Sequence, residues 1–221
     1  MSEHALPLEQ FAALGAVAGC VHGFVTRVPE IAVKEDKTEA LRRLDIVHRA
    51  ARAELGLASF PFMTAEQVHG RQLEVIDRKP TRDDCFPDCD GLLTNQPGVC
   101  LGIYVADCCA VYLVDPVERC IALLHSGKMG TALDITGNAI ELMGARFGSR
   151  PENLTMQLSP CIRPPHYEID FAAAIVASGR ARGVKNIYDA GVCTACDLGH
   201  YYSYRAEQGK TGRMLALLAL T

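Results

Sequence analysis

The sequence is short of basic charge. Its 22 Lys and Arg are outnumbered by 26 Asp and Glu, for a formal net charge of −4. A nucleic-acid surface needs clustered cations, so no nucleic-acid partner is expected. Long apolar runs are also missing. None could span a bilayer, so no membrane partner is expected. Met1 to Gln10 lacks the basic start and apolar stretch of a secretory signal, which makes the cytoplasm the expected compartment. Histidine is sparse, at seven residues with no His-x-His pair, and no repeat, linker or low-complexity tract interrupts the chain. One domain over residues 1–221 is the simplest organisation.

What is present is a core. Hydrophobic residues make up 49% of 221, enough to bury a substantial interior. Ten cysteines are many for a cytosolic chain, but they are not spaced like a small secreted disulfide framework. Cys20, Cys100, Cys109 and Cys120 fall inside apolar runs and read as small buried hydrophobes.

The stretch Leu101 to Gly130 organises the rest. It is rich in β-branched and other apolar residues, interrupted at Asp115-Pro116 and Glu118-Arg119. Apolar runs bounded by turn residues predict two buried strands, paired as a hairpin or close neighbours. Asp107-Cys108 lies inside the first run and His125 ends the second, where a core strand has no need of them. A Gly-containing loop, Ser126 to Gly130, follows at once. Its glycines can turn backbone N–H groups inward and Lys128 adds a charge, an arrangement suited to a small anion; taken alone it is also an ordinary strand-to-helix turn.

Elsewhere Val21 to Arg27 reads as a strand. Glu35 to Leu55 reads as a helix on the spacing of Leu41, Leu44, Val47, Ala51 and Leu55, capped by Asp36 with Glu39 and stopped by Gly56. Leu73 to Asp77 and Gly91 to Thr94 read as strands, with Arg78 to Asp90 a loop. Ala132 to Phe147 reads as a helix with Leu133, Ile140, Met143 and Phe147 on one face. Leu154 to Leu158 and Asn186 to Asp189 read as strands, and Phe171 to Arg182 as a helix capped by Asp170. Met214 to Leu220 is apolar and closes the core. Strands and helices mix without a βαβ rhythm, so the expected class is α+β.

Three residues could share a metal. His69, Cys108 and His125 each sit near a strand end or a Gly-containing turn, and zinc accepts both imidazole and thiolate. The same residues allow a Cys108 thiolate nucleophile with His125 as its base. Spacing alone does not separate the two. Cys193-x-x-Cys196 is half a zinc site or a redox pair, or simply two reduced thiols; Cys85 and Cys89 are poorly spaced to complete it, and His166 and His200 read as surface residues.

Gln67-Val68-His69-Gly70, Ala106-Asp107-Cys108 and His125-Ser126-Gly127 resemble the signature blocks of the laccase-domain, or multicopper polyphenol oxidase, family, whose members include purine nucleoside phosphorylases and peptidoglycan editing factors. His22 to Arg27 is similar to its N-terminal strand. Cys193-Thr194, Tyr202 to Arg205 and Lys210 to Arg213 are similar to its C-terminal signature. The likeness runs from about His22 to the end, five blocks in order. It implies a single domain of four layers, α/β/β/α with mixed β-sheets, and a zinc ion on His69, Cys108 and His125. It also implies phosphorolysis of purine nucleosides, including methylthioadenosine, and adenosine deamination. Copper oxidation is a poor match, because such enzymes need several His-rich clusters.

Under that resemblance the catalytic candidates are Cys108, His125 and Asp107. Asp107 is either a proton acceptor or a strand-end hydrogen-bond partner. Substrate contacts fall to Arg27, Gly127, Lys128, Gly130 and Arg205. The expected partners are a purine nucleoside and phosphate, with a homodimer as an option. The alternatives are a Cys108–His125 amidase or peptidoglycan-editing hydrolase, and a catalytically silent metal-binding protein. The silent reading is favoured by one departure: Lys128-Met129 stands where the family has Trp-Arg, and Lys lacks the bidentate fork of Arg. Arg205 is followed by Ala206 where a second Arg is usual. The Gly-rich insert after the N-terminal strand is replaced by Val28 to Lys37 and the helix.

Overall fold

The structure, a computed structural model, describes residues 6–221. In chain order its first half runs β1 (Leu8–Glu9), α1 (Ala12–Gly15), β2 (Cys20–Val25), α2 (Lys37–Glu54), β3 (Phe62–Ala65), β4 (Leu73–Ile76), β5 (Asp84–Phe86) and β6 (Gly91–Thr94). The second half runs β7 (Cys100–Val105), β8 (Cys109–Asp115), β9 (Cys120–Ser126), α3 (Lys128–Ala132), α4 (Ile135–Phe147), β10 (Thr155–Leu158), α5 (Phe171–Ala181), β11 (Asn186–Asp189) and β12 (Met214–Leu220).

The strands form two mixed six-stranded sheets. One has the order β1-β2-β12-β7-β3-β5, the other β11-β10-β8-β9-β6-β4. The central strands are apolar throughout because both faces are covered, and the period of two sorts their side chains into layers. On β12, Met214, Ala216 and Leu218 join the core between the sheets, with Tyr112 and Val114 of β8 and Ile121 and Leu123 of β9. Leu215, Leu217 and Ala219 of β12 point the other way and pack with Ala51 and Val47 of α2. On the far side Val111, Leu113, Ala122 and Leu124 pack against Ile135, Ala139 and Met143 of α4 and Ala172 and Ile175 of α5. The layers are therefore helix, sheet, sheet, helix, in a single α+β domain. No helix among the described residues is long and apolar enough to cross a membrane.

Helix α2 starts and stops where its sequence indicates. The Asp36 side chain accepts from the Glu39 N–H at 3.0 Å, and the helix ends just before Gly56. Its buried stripe is Ala40, Leu44, His48 and Ala51, so a histidine stands among the apolar positions. Strands β11 and β12 have the expected limits.

Three expectations need correction. The run from Leu101 to Asp115 is two strands in different sheets: β7 lies in the first and β8 in the second. The turn between them is at Asp107, whose φ is 83°. The hairpin is β8–β9, with Ala110 opposite His125. The loop at Arg78 to Asp90 contains β5, which adds to the edge of the first sheet beside β3. The helix expected from Ala132 is broken at Leu133 and Asp134. Leu133 is exposed, and α4 begins after Asp134, whose side chain accepts from Gly137 N–H at 3.2 Å.

Two buried histidines give the fold a pH dependence. Burial pushes both His22 and His48 down to about 4. The His22 Nε2 accepts from the Phe11 N–H at 2.7 Å, a bond that needs the neutral ring. Between pH 6.5 and about 4 the unfolded chain binds protons at these rings that the folded chain does not. Stability is therefore expected to fall as pH falls through that window, at a rate approaching about 1.4 kcal/mol per pH unit for each ring. Urea unfolding at pH 7 and at a pH near 4.5, inside the window, measures it. The midpoint should drop at the lower pH, and the drop should shrink in His48→Gln; an unchanged midpoint would contradict this reading.

Candidate functional site

The site lies at one end of the sandwich, where the chain passes between the sheets three times. Strands β3, β5 and β7 run parallel, so their carboxyl ends meet at one edge of the first sheet. From these ends the chain crosses to β4, β6 and β8 of the second sheet. The first crossing carries His69, the second Asp90 and the third Asp107 and Cys108. His125 arrives from the second sheet itself. It continues the inward-facing series Ile121, Leu123 on β9 and emerges at the same end.

The donor atoms of His69, Cys108 and His125 lie within 4.8 Å of one another. The two imidazoles meet edge to face, with centroids 4.8 Å apart. His125 is buried, Cys108 half-buried and His69 exposed, so the cluster has a dry side and an open side. Burial alone would raise the Cys108 thiol. The adjacent His125 charge and hydrogen bonds from both imidazoles outweigh it and bring the thiol down to about 6. Burial opposes charge on His125 as well, but Cys108 and Asp90 hold it up at about 9. The group is built to carry a thiolate.

Asp90 holds the cluster together. It is fully buried, and its carboxylate accepts from His125 Nδ1 at 2.8 Å, His69 N–H at 2.8 Å and Gly70 N–H at 2.6 Å. With Nδ1 engaged, His125 is left to present Nε2. Backbone strain is concentrated here too. Gln67, His69 and Asp107 all have positive φ, at 67°, 65° and 83°. Such conformations cost about 1–3 kcal/mol each in non-glycine residues. Compensating bonds are visible. The Gln67 amide donates to the Tyr104 carbonyl at 2.5 Å and accepts from the Tyr104 N–H at 3.0 Å.

Gly127 and Gly130 serve close packing around the cluster. A Cβ on Gly127 would lie 2.5 Å from the Cys108 sulfur. One on Gly130 would lie 3.2 Å from the Gly70 carbonyl and 3.4 Å from that of His125. Lys128 is half exposed and pairs with Glu168 at 3.4 Å.

The cluster forms part of the wall of a cavity of about 710 Å³. Tyr104, Tyr167, Phe171 and Tyr204 give it aromatic walls, and Lys37, Lys128, Arg205 and Arg213 give it cations. Arg205 lies over the Tyr167 ring at 4.8 Å and pairs with Glu168 at 3.0 Å. Lys37 and Arg213 differ from the others. Their hydrogen bonds go to backbone carbonyls, Glu66 for Lys37 and Thr211 and Gly212 for Arg213, and neither has a carboxylate partner among the described residues. Burial, then the neighbouring Arg213 charge, pushes Lys37 below its ordinary value.

Two expected contacts look different here. Arg27 is not a cavity residue: its guanidinium bonds Glu207 and the Tyr201 carbonyl and stacks on Tyr202 at 4.5 Å. Asp107 borders the cavity, yet its carboxylate accepts from the Thr194 hydroxyl and the Arg205 N–H, each at 2.7 Å. Asp90 and Lys37 were not singled out from sequence, and Gln67 and Arg213 stood there only as members of the signature blocks, without a role.

The fold and site together define a two-sheet domain with a mixed imidazole–thiolate centre at its crossing edge. The profile of the family described as multi-copper polyphenol oxidoreductase laccase matches residues 31–179 and 166–221, and the chain belongs to that family. It is 30% identical to the purine nucleoside phosphorylase YlmD of Geobacillus stearothermophilus, over 92% of this chain and 90% of that protein. It is also 30% identical to a purine nucleoside phosphorylase of Deinococcus radiodurans, over 90% and 88% of the two chains. The crystal structure of the Geobacillus stearothermophilus YlmD superposes with a TM-score of 0.82 at 26% identity, covering 98% of this chain and 99% of that one.

The donor set can be tested through its carboxylate brace. Removing a partner that orients metal-bound imidazole typically weakens metal binding about 10–100-fold. Asp90→Asn is expected to lower by that factor the affinity of the cluster for an added divalent metal ion in competition with a chelator, and Gly127→Ala to lower it by crowding the sulfur. Unchanged affinity in both would contradict this geometry.

Proposed function

We propose that this chain is a zinc-dependent purine nucleoside phosphorylase, with methylthioadenosine phosphorolysis and adenosine deamination as further activities of the same cavity. The observation that carries this reading is the convergence of His69, Cys108 and His125 on the wall of a cavity with aromatic faces and two cations, Lys37 and Arg213, that have no carboxylate partner among the described residues. The similarity to proteins named purine nucleoside phosphorylase, over nine-tenths of the chain, supports it.

The donors suit zinc. Two imidazoles and one thiolate are zinc ligands, and three protein ligands leave a position for chemistry. Cys108 is disposed to ionise, and His125 keeps Nε2 available because Asp90 occupies Nδ1. A zinc ion held there supplies Lewis acidity and a lowered water pKa. The protein supplies the rest. Tyr167 and Tyr204 offer faces for a purine. Lys37 and Arg213 offer charge to a phosphate, which orients it as nucleophile. In phosphorolysis a phosphate oxygen bonds the ribose C1′ as the C1′–N9 bond breaks. The electron pair leaves on N9, which takes up a proton, so the products are free base and ribose 1-phosphate. Lys128 and Arg205 share Glu168 at exposed positions, where solvent screens ion pairs and leaves them weak, so an entering anion can compete for them.

A second reading has its own observation. The depressed Cys108 thiol and raised His125 describe a thiolate–imidazolium pair able to serve a cysteine hydrolase acting on amides or peptidoglycan. A nucleophile needs one base, however, and here a second imidazole, that of His69, also converges on the sulfur.

Incubation with adenosine and phosphate should release adenine and ribose 1-phosphate, and Cys108→Ala should abolish turnover together with zinc binding at the His69, Cys108, His125 cluster. Lys37→Met and Arg213→Met should each raise the KM for phosphate about tenfold, the loss of one charge-assisted hydrogen bond. Zinc-loaded protein inert toward adenosine, guanosine, inosine and methylthioadenosine would sink the proposal.

A further inference from the structure

A second group of soft ligands lies outside the cavity. His166, Cys193 and Cys196 have their donor atoms within 4.8 Å of one another, and none of the three lines the cavity. The His166 Nδ1 is 3.7 Å from the Cys193 sulfur and 3.5 Å from the Cys196 sulfur. Zinc–sulfur and zinc–nitrogen bonds of about 2.3 and 2.0–2.1 Å at tetrahedral angles put such atoms roughly 3.6 Å apart. The two thiols reach one side because residues Thr194–Cys196 form a single 3-10 turn, closed by Cys196 N–H donating to the Cys193 carbonyl at 3.1 Å. His166 comes from a distant turn, Arg163 to Tyr167, whose backbone bonds its own Arg163 carbonyl. Cys196 and His166 are exposed, Cys193 half-buried, and both cysteines are free thiols, so an ion has a way in.

We propose that His166, Cys193 and Cys196 form a second, structural zinc site whose fourth position is open to water. Thiolate with imidazole is a zinc donor set, soft enough to favour that ion over harder ones. Its consequence is mechanical. The ion ties the segment that carries Ile162, Tyr167 and Glu168 to the segment whose Thr194 hydroxyl holds Asp107. The first segment walls the cavity through Ile162 and Tyr167, and the second holds Asp107, which borders it, so the second ion braces a wall without touching substrate.

The test is a metal count on the full chain, purified with reductant, loaded with zinc and freed of excess by gel filtration. The wild type should hold one more zinc per chain than Cys193→Ser/Cys196→Ser. This difference does not depend on whether the His69, Cys108, His125 cluster is filled. With cobalt in place of zinc, Cys108→Ala should keep an intense thiolate-to-metal absorption band, which is lost when Cys193→Ser and Cys196→Ser are added. Circular dichroism confirms that each variant is folded. Equal zinc in wild type and double variant would overturn the site. So would a wild-type chain whose Cys193 and Cys196 are joined in a disulfide while no extra zinc is bound.

Discussion

One buried carboxylate sets the geometry of this site. Asp90, on the second crossing, has no exposure and bonds the first crossing and a strand at once: His69 and Gly70 N–H groups on one side, the His125 ring on the other. Its own backbone completes the join, with the His125 N–H donating to the Asp90 carbonyl at 2.7 Å and the Asp90 N–H to Gln72 at 2.9 Å. A buried charge stripped of its partners costs about 3–5 kcal/mol, so none of these segments can drift independently. The strained backbone at Gln67, His69 and Asp107 persists because the bonds around it leave no easier arrangement.

The sandwich makes this arrangement natural. Parallel strands place successive carboxyl ends side by side, and each crossing between sheets must then turn at the same edge. Side chains on those turns are held by two sheets instead of one, which suits a centre whose donors must stay within a few ångströms. The cavity beside it has two kinds of cation. Lys128 and Arg205 are balanced by Glu168 at the exposed side, while Lys37 and Arg213 bond carbonyls and no carboxylate among the described residues. The first pair can be displaced; the second has unspent charge for an anion.

Much of this was legible in the residues. Helix α2 could be read because its cap and its apolar period agree, and β12 because seven apolar residues follow a polar segment. The three ligand candidates could be read from their blocks. The crossing at Asp107 could not, because an apolar run has the same appearance whether it continues through one sheet or passes to another. Asp90 was hidden among the charges of a loop, since burial of a lone acid leaves no periodic trace. His166 was hidden for a similar reason: only folding brings it to Cys193 and Cys196. Arg27 shows the reverse, a cation in a signature block whose charge is consumed by Glu207 and Tyr202.

The most direct test of the central claim is X-ray absorption at the zinc edge on the Cys193→Ser/Cys196→Ser chain, where, of the two sulfur-containing donor groups among the described residues, the His69, Cys108, His125 cluster remains. One sulfur at about 2.3 Å and two imidazole nitrogens at about 2.0–2.1 Å are expected. A folded chain that binds no zinc, or a zinc shell without sulfur, would contradict it.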